Sequence, residues 1–437
     1  MVSGSKKNNH TAAAEIQPPE LLTETAEPAQ EPIPEEAETA AQSADNPAAV
    51  QEAVSEEPAA PQPKAAAPAK RERDSGIDLV KICAMYFVLS LHFCLYGGFY
   101  GFAMAEKSVA VISGFRMLSY ECVPLFLIIS GFLMGNAKPT AKHYIKITPI
   151  VVNSMIIAAI TIAFKILVLQ EHWEFYVWAE SVYHLQQPGY GWYVNMFIPL
   201  YLMMPFINAA YRGMQTKKAK IGALIVLIFV ANLAISVNRF RIIQHPEEKV
   251  AIGFTPNYFG SIWPFAYYWT GLMIAEYRPR IKKWILLPVL VLLLTGEVLL
   301  DRFTTDFGWD QGVNFTNEDF LNIFVAGTFF LLLYDIKIRN KIVRGILKAV
   351  ASLSMTVYLL SYIGDCIYVR HFLEGENTPA IFVQRYFKII PLHFLLTVLA
   401  SFPVFYLGKL ISWLIMKPLL WLSSLPERRK QKSAAAS

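Results

Sequence analysis

The sequence predicts an all-α polytopic membrane protein with about ten transmembrane helices, both termini in the cytoplasm and a disordered N-terminal tail. Three observations predict this fold class. The 437-residue chain is 54% hydrophobic, with a mean hydropathy of +0.37 despite a polar first sixth. From residue 77 onward, polar loops alternate with apolar runs of about 17 to 25 residues, enough to cross a ~30 Å hydrocarbon core. Lys and Arg concentrate in every second loop.

Ten apolar runs are candidate spans. The eighth is the weakest, because it is short and is interrupted by Asn322. The runs cover residues 77–96, 109–134, 147–169, 191–210, 221–237, 258–277, 284–300, 318–334, 349–369 and 389–416.

Loop charges support this count independently, because cytoplasmic loops carry the excess of Lys and Arg. Basic residues precede the first span at Lys70, Arg71 and Arg73, and basic clusters recur after the second, fourth, sixth and eighth spans. The opposite loop "QEHWEFYVWAESVYHLQQPGYG" contains neither Lys nor Arg. Both termini are therefore predicted to be cytoplasmic.

Composition divides the chain into three segments. Residues 1–75 are rich in Ala, Pro and Glu, with twelve acidic and four basic residues through Lys70, and begin without the apolar core of a signal peptide. Because this segment cannot bury enough apolar surface to offset chain entropy, we expect a disordered cytoplasmic tail. Residues 76–417 are the predicted membrane domain, and residues 418–437 a short basic cytoplasmic tail.

Several kinds of site are not indicated by the sequence. The four cysteines lie inside apolar runs without paired spacing and without an accompanying cluster of histidines, so neither a disulfide framework nor a metal site is predicted. There is no Gly-x-Ser-x-Gly elbow and no P-loop pattern. The chain has a net charge of +5, and most of its charges lie in loops on one membrane side, which indicates a lipid bilayer as partner and no nucleic acid.

The first span, "GIDLVKICAMYFVLSLHF", keeps three ionisable residues, which are costly in hydrocarbon and so mark a candidate site. Lys81 and His92 lie ~20° apart around a helix and ~16 Å apart along it, and Asp78 falls on the same face. Each has a simpler explanation alone. Lys81 can snorkel to the surface, His92 can hydrogen-bond a neighbouring helix, and Asp78 can favour the helix start. Their coincidence on one face favours a functional site.

This span resembles the first helix of the acyltransferase family 3 integral membrane proteins, which transfer acyl groups, commonly acetyl, to sugars of surface polysaccharides and related molecules. That helix reads approximately Leu-Asp-x-Leu-Arg, ten residues, then His. Asp78, Lys81 and His92 match it, with lysine in place of the usual arginine. Lysine keeps the positive charge but loses the planar fork that binds a phosphate or carboxylate bidentately.

Further motifs resemble the same family in order, over about residues 74–416. They are "VPLFLIISGFLMG" with its Ser-Gly-Phe, the basic segment "KHYIKITPIVV", the Trp-Tyr segment "GYGWYVNMFIPLYLMMPFI" and "YYWTGLMIAEY". A Ser-Gly-Phe alone is more often a helix-packing site. The late span "LSMTVYLLS" departs from the family, because Ser361 stands where a histidine is usual.

The resemblance implies an O-acetyltransferase of a bacterial plasma membrane. The donor would be acetyl-CoA or a related acyl-CoA from the cytoplasm, with no permanently bound cofactor, and the acceptor a glycan or lipid-linked sugar. His92 would be the general base or a transient acyl carrier. Lys81 would hold the donor as a positive point charge, and Asp78 would orient Lys81 or another basic group.

Two pairs of residues have both a functional and a structural explanation. Lys142 and Lys146 either bind the charged end of coenzyme A or only mark the cytoplasmic side. Trp192 and Tyr193 either stack on a sugar or belong to the aromatic belt at the membrane interface.

Two further pairs are candidates for the acceptor side. Arg116 and Glu121 would shape the acceptor entrance or pair with each other. Ser361 and Asp365, one helical turn apart, would replace the missing late histidine as a polar pair.

Three other functions remain open from the sequence. A transporter or flippase of a lipid-linked saccharide also has about ten spans with polar groups inside, although two related halves with paired interrupted helices are not visible in this sequence. A donor other than acetyl, such as succinyl, would give the same pattern. A non-catalytic sensor or anchor that retains the fold would explain the lysine and serine departures.

Overall fold

The computed structural model describes residues 74–102, 107–172, 174–185, 189–233, 236–237, 257–304, 317–372 and 375–436. These residues form helices and connecting turns, with no β-strand among them. The helices are α1 Ser75–Tyr96, α2 Lys107–Tyr120, α3 Cys122–Met134, α4 Ala141–Ile145, α5 Thr148–Leu167, α6 Phe175–Tyr183, α7 Trp192–Gly213, α8 Lys217–Ile228, α9 Asn257–Gly260, α10 Trp263–Tyr277, α11 Lys283–Thr304, α12 Phe320–Leu333, α13 Lys341–Ser352, α14 Ser354–Phe372 and α15 Pro379–Ala436.

The all-α membrane fold is confirmed, whereas the count of ten spans is not. Within the described ranges, six helical stretches are long and apolar enough to cross a membrane, or seven if α13 and α14 count as one span bent by 66°. The other predicted spans lie on shorter helices. For example, α12 has 14 residues and α10 has 15, which at 1.5 Å per residue is about 21 to 23 Å, less than a ~30 Å core.

The structure bears differently on the two predicted tails. The predicted disordered tail lies outside the described residues except for its last two positions, and α1 begins at Ser75. At the other end, α15 continues to Ala436 through the residues predicted as a C-terminal tail.

Helix α1 occupies a central position. It contacts α2, α3, α12, α13, α14 and α15, and most of its length is buried, including Asp78 at 3% exposure. Because neighbours surround it, the face that carries its polar residues lies against protein rather than lipid.

Glycines allow the closest helix crossing. A Cβ on Gly131 of α3 would lie 2.0 Å from the Tyr268 carbonyl oxygen of α10, and a Cβ on Gly271 would lie 2.2 Å from the Ile128 carbonyl oxygen. The backbones therefore touch directly at this crossing, which larger residues would prevent. The Ser-Gly-Phe of α3 is thus a packing site.

Contacts among the basic loops show which helix ends meet. The Ser75 hydroxyl at the start of α1 donates to the Ile336 carbonyl after α12, at 2.9 Å. Tyr334 donates to the Pro279 carbonyl after α10, at 2.7 Å, and Arg212 at the end of α7 donates to the Gly135 carbonyl after α3, at 2.9 Å. These ends form one face of the bundle, the basic end. That it faces the cytoplasm stays a prediction.

Candidate functional site

The candidate site is a buried cluster of two histidines around one carboxylate. Asp365 on α14 is 2% exposed and lies between His92 of α1 and His393 of α15. Its Oδ2 is 3.4 Å from His92 Nδ1, and its Oδ1 is 3.6 Å from His393 Nδ1. Helix α1 and the two last helices, which are far from α1 in sequence, thus bring one ionisable side chain each to the same place.

Tyr190 completes the cluster from the turn before α7. Its hydroxyl donates a hydrogen bond to Asp365 Oδ2 at 2.5 Å, and its ring stacks on the His92 imidazole with centroids 3.8 Å apart. Burial, and then the neighbouring Asp365 carboxylate, hold the pKa of Tyr190 well above its ordinary value. Tyr190 therefore stays protonated as a donor and fixes both the carboxylate and the ring.

His92 is the most accessible member of the two-histidine cluster. Its side chain is 13% exposed, compared with 7% for His393. Because Nδ1 faces Asp365, Nε2 is the nitrogen left for a substrate.

Aromatic side chains surround the cluster. The Tyr96 ring lies 6.3 Å from the His92 ring, and the Tyr368 ring lies 5.4 Å from the His393 ring. Tyr362 and Tyr358 pack against Tyr190 at 5.3 and 6.0 Å. This wall is apolar on the ring faces and carries hydroxyl groups at the ring edges.

Gly364 makes room for His393. A Cβ at this position would lie 2.1 Å from His393 Nε2, far inside van der Waals contact. The absent side chain therefore lets the imidazole of α15 pack against α14 next to Asp365.

The predicted polar pair of Ser361 and Asp365 is not formed. Ser361 is fully buried, and its hydroxyl donates at 2.8 Å to the Tyr358 carbonyl of its own helix. A serine hydroxyl is short enough to satisfy itself on the preceding turn. Asp365 is directed instead at the two histidines and Tyr190.

Asp78 and Lys81 lie closer to the basic end. Asp78 is buried in the first turn of α1, and Lys81 is partly buried one turn further. His92 stands eleven positions after Lys81 on the same helix, a rise of ~16 Å. The structure therefore does not bring these two residues to the histidine, and their predicted roles at the donor stay predictions.

Arg116 and Glu121 belong to a second buried region. Arg116 is fully buried, with its guanidinium carbon 5.1 and 4.9 Å from the ring centres of Tyr100 and Tyr120. Glu121 lies at the break between α2 and α3. Within the described part of the chain, neither of its carboxylate oxygens has a hydrogen-bond partner. No hydrogen bond therefore joins Arg116 to Glu121, and their role at an acceptor entrance stays a prediction.

The remaining predicted residues lie at the surfaces of the bundle or in its core. Lys142 on α4 and Lys146 directly after it are exposed. Trp192 at the start of α7 is 39% exposed, whereas Tyr193 is 5% exposed and packs against Tyr358. Tyr193 is thus a core residue under the aromatic wall, and Trp192 is the accessible member of the pair.

Sequence reasoning missed His393 and Tyr190. His393 is the one histidine in the run "IIPLHFLLTVL", and an ionisable residue inside an apolar span was the available signal. Tyr190 stands two residues before Trp192, and nothing in the sequence distinguishes it from the other tyrosines.

Among the described residues, no group of three or more His, Cys, Asp or Glu side chains is arranged to hold a metal ion. All four cysteines are free.

Comparison with known proteins points to one family. A family model described as an acyltransferase domain, of the acyltransferase 3 type, matches residues 74–417. Comparisons with curated proteins and with solved structures gave no match. The matched residues run from the start of α1 into α15 and include the entire two-histidine cluster. The chain therefore belongs to acyltransferase family 3.

Proposed function

We propose that this membrane acyltransferase transfers acetyl from acetyl-CoA to a hydroxyl of a cell-envelope glycan or lipid-linked sugar, in a bacterial plasma membrane. The observation that carries the proposal is the arrangement of His92, whose Nδ1 faces a buried carboxylate while its side chain remains partly accessible. A base oriented by a carboxylate is what acyl transfer to a hydroxyl requires.

His92 acts as the general base. With the proton held on Nδ1 toward Asp365, the lone pair on Nε2 accepts the proton of the acceptor hydroxyl. Asp365 stabilises the imidazolium that results, and the Tyr190 hydroxyl holds Asp365 in place. The 3.4 Å separation of Nδ1 from Oδ2 is long for a hydrogen bond, and such contacts commonly tighten when substrate binds.

The transfer forms one C–O bond and breaks one C–S bond. As His92 takes the hydroxyl proton, the acceptor oxygen attacks the thioester carbonyl carbon and forms a C–O bond. The tetrahedral intermediate collapses, the C–S bond breaks, and the coenzyme A sulfur takes the proton from His92. The products are the O-acetylated sugar and free coenzyme A, with neutral His92 restored.

Donor binding is assigned to the basic end. Lys142 and Lys146 are exposed there and suit the phosphates of coenzyme A. Lys81, partly buried on α1 between that end and His92, provides a positive charge along the path, and Asp78 orients it. A point charge tolerates several phosphate positions, which fits lysine in place of arginine.

The aromatic wall supports a sugar acceptor. Tyr96 lies beside His92 and Tyr362 lies against Tyr190, and both are partly exposed. The apolar C–H face of a sugar ring packs on such aromatic surfaces, while its hydroxyl groups bond to polar groups at the ring edges. Trp192, with 39% exposure, provides a further ring at the start of α7.

The test uses full-length protein in membranes, supplied with acetyl-CoA and a lipid-linked glycan. We expect acetyl-CoA consumption that depends on the glycan, and a ~10²- to 10⁴-fold loss with His92→Ala, the usual contribution of a general base. His184→Ala is the matched control, because His184 is exposed directly after α6 and its ring packs against Tyr183. Full activity in folded His92→Ala protein would overturn the mechanism.

Mass spectrometry of surface glycans with and without the protein tests the reaction itself. A gain of one acetyl unit supports the proposal, and a gain of a larger acyl group changes the donor. If glycan export changes but the glycans gain no acyl group, the proposal is wrong and the protein is instead a transporter or flippase of a lipid-linked saccharide.

A further inference from the structure

Helix α13, with 12 residues, has one apolar face and one basic face. At 100° per residue, Ile342, Val343 and Ile346 fall on one side, and Lys341 and Lys348 on the other. Ile342 is 74% exposed and Ile346 is 58% exposed. Large aliphatic groups are thus exposed on a helix that also carries several charges.

The bend after α13 gives its orientation. The 19 residues of α14 rise ~28 Å, close to the ~30 Å depth of the hydrocarbon core, so α14 accounts for nearly all of the crossing that the bent pair of α13 and α14 makes. The axis of α13 turns by 66° from α14 at Leu353, so α13 lies closer to the membrane plane than to its normal. Its neighbours at this end are the basic loops, since the Ser75 hydroxyl accepts a hydrogen bond from Ile338 N just before α13, at 2.9 Å.

The positive charge of α13 and the segment before it indicates the chemistry of the partner that binds this helix. The segment "IKIRNKIVRGILKAVAS", residues 336–352, contains five basic residues and no acidic one. Lys337, Arg339, Lys341 and Lys348 are all exposed. An amphipathic helix with cations on its polar face and aliphatic groups on the other is the pattern that binds anionic bilayer surfaces.

We propose that α13 is an interfacial helix that binds the headgroups of anionic phospholipids. Ile342 and Ile346 insert at the boundary of the acyl chains, and Arg339, Lys341 and Lys348 hold phosphate groups of one leaflet. The helix packs on α1 and joins α14 through Leu353, so the bound lipids lie against the two helices that carry His92 and Asp365. The binding does not depend on the acetyl-transfer reaction.

Lipid binding to delipidated full-length protein tests the proposal, with phosphatidylglycerol and phosphatidylcholine titrated separately and bound lipids counted by native mass spectrometry. We expect Arg339→Gln/Lys341→Gln/Lys348→Gln to weaken phosphatidylglycerol binding at least ~10-fold, since each cation near an anionic surface contributes severalfold, and to leave phosphatidylcholine binding unchanged.

The matched control removes the same number of exposed cations elsewhere on the basic end, as Lys218→Gln in the first turn of α8 with Arg280→Gln/Lys282→Gln in the segment before α11. Retained phosphatidylglycerol affinity in the control, with loss in the α13 variant, supports the proposal. Equal losses in both variants, or no loss in the α13 variant, would overturn it.

Insertion is measured separately, on protein with all α13 charges in place. An environment-sensitive fluorophore on Ile342→Cys should be quenched by lipids carrying quenchers near the acyl-chain boundary, and the same label on Lys218→Cys should not. Absence of quenching at Ile342→Cys would show that α13 does not enter the interface.

Discussion

Two carboxylates in this molecule, Glu276 and Asp365, have the same kinds of partner but differ in how completely those partners are hydrogen-bonded. Glu276 at the end of α10 receives a hydrogen bond from the Tyr211 hydroxyl and an ion pair from Lys220. Asp365 receives a hydrogen bond from the Tyr190 hydroxyl and faces the His92 imidazole. Each carboxylate thus contacts one tyrosine hydroxyl and one basic side chain.

The two groups differ in the basic side chain, which is lysine in one and histidine in the other, and in how deeply the carboxylate is buried. Lys220 Nζ contacts both oxygens of Glu276 at 2.8 Å, and the carboxylate is 40% exposed. This pair is complete and close to water, and it ties α8 to α10. In the other group, only one of the two imidazole nitrogens of His92 faces the carboxylate, and that carboxylate is only 2% exposed. A buried, incompletely satisfied base can do chemistry, whereas a satisfied ion pair holds helices together.

The largest difference between the two carboxylates is expected for Asp365→Asn. The amide keeps the size but loses the negative charge that stabilises His92 imidazolium, so we expect the transfer rate to fall ~10²- to 10⁴-fold. The rate is measured in membranes with protein folding checked by thermal unfolding. Ser361→Ala on the same helix is the control and should stay within about twofold, because its hydroxyl bonds only its own helix. A strong loss in Ser361→Ala with activity kept in Asp365→Asn would reverse the assignment.

An intermediate effect is expected for Gly364→Ala. The new methyl group would lie 2.1 Å from His393 Nε2, and such overpacking costs ~1 to 3 kcal/mol of unfolding free energy. Thermal unfolding in detergent measures the loss. The double variant Gly364→Ala/His393→Ala removes the clash and should regain most of the stability. If the double variant is no more stable than the single one, His393 does not occupy the space left by Gly364.

The smallest effect is expected for Glu276→Gln. It weakens the Lys220 ion pair at a partly exposed site, so unfolding free energy should fall by about 1 kcal/mol or less, with the transfer rate within about twofold of the parent. The same rate and unfolding assays apply. A large rate loss at unchanged stability would mean that the two carboxylates do not differ in the way described above.

The sequence predicted some elements well because their signals are local. Hydropathy located six stretches that are long and apolar enough to cross a membrane, and helical periodicity placed Asp78, Lys81 and His92 on one face of α1. Hydropathy was less informative for α10 and α12, because helices of 14 or 15 residues buried among other helices need not cross the whole bilayer.

The site was only partly predictable. His92 and Asp365 were both candidates, yet Asp365 was paired with Ser361, its neighbour on the same helix, because periodicity reports only contacts within one helix. His393 and Tyr190 join the cluster from 28 residues after Asp365 and 175 residues before it. A pattern read along the chain cannot report such contacts.

By itself, the sequence determined that the chain is helical and membrane-embedded, and its ordered motifs indicated the family. These properties depend on the composition of each segment, which burial in lipid makes decisive over about twenty residues. Only the tertiary structure decided that Asp365 lies between two histidines and that Tyr190 holds it. Which side chains come into contact depends on how α1, α14 and α15 pack. That packing depends on the shapes of the helix surfaces, as at Gly364, where the absence of a side chain leaves space for His393.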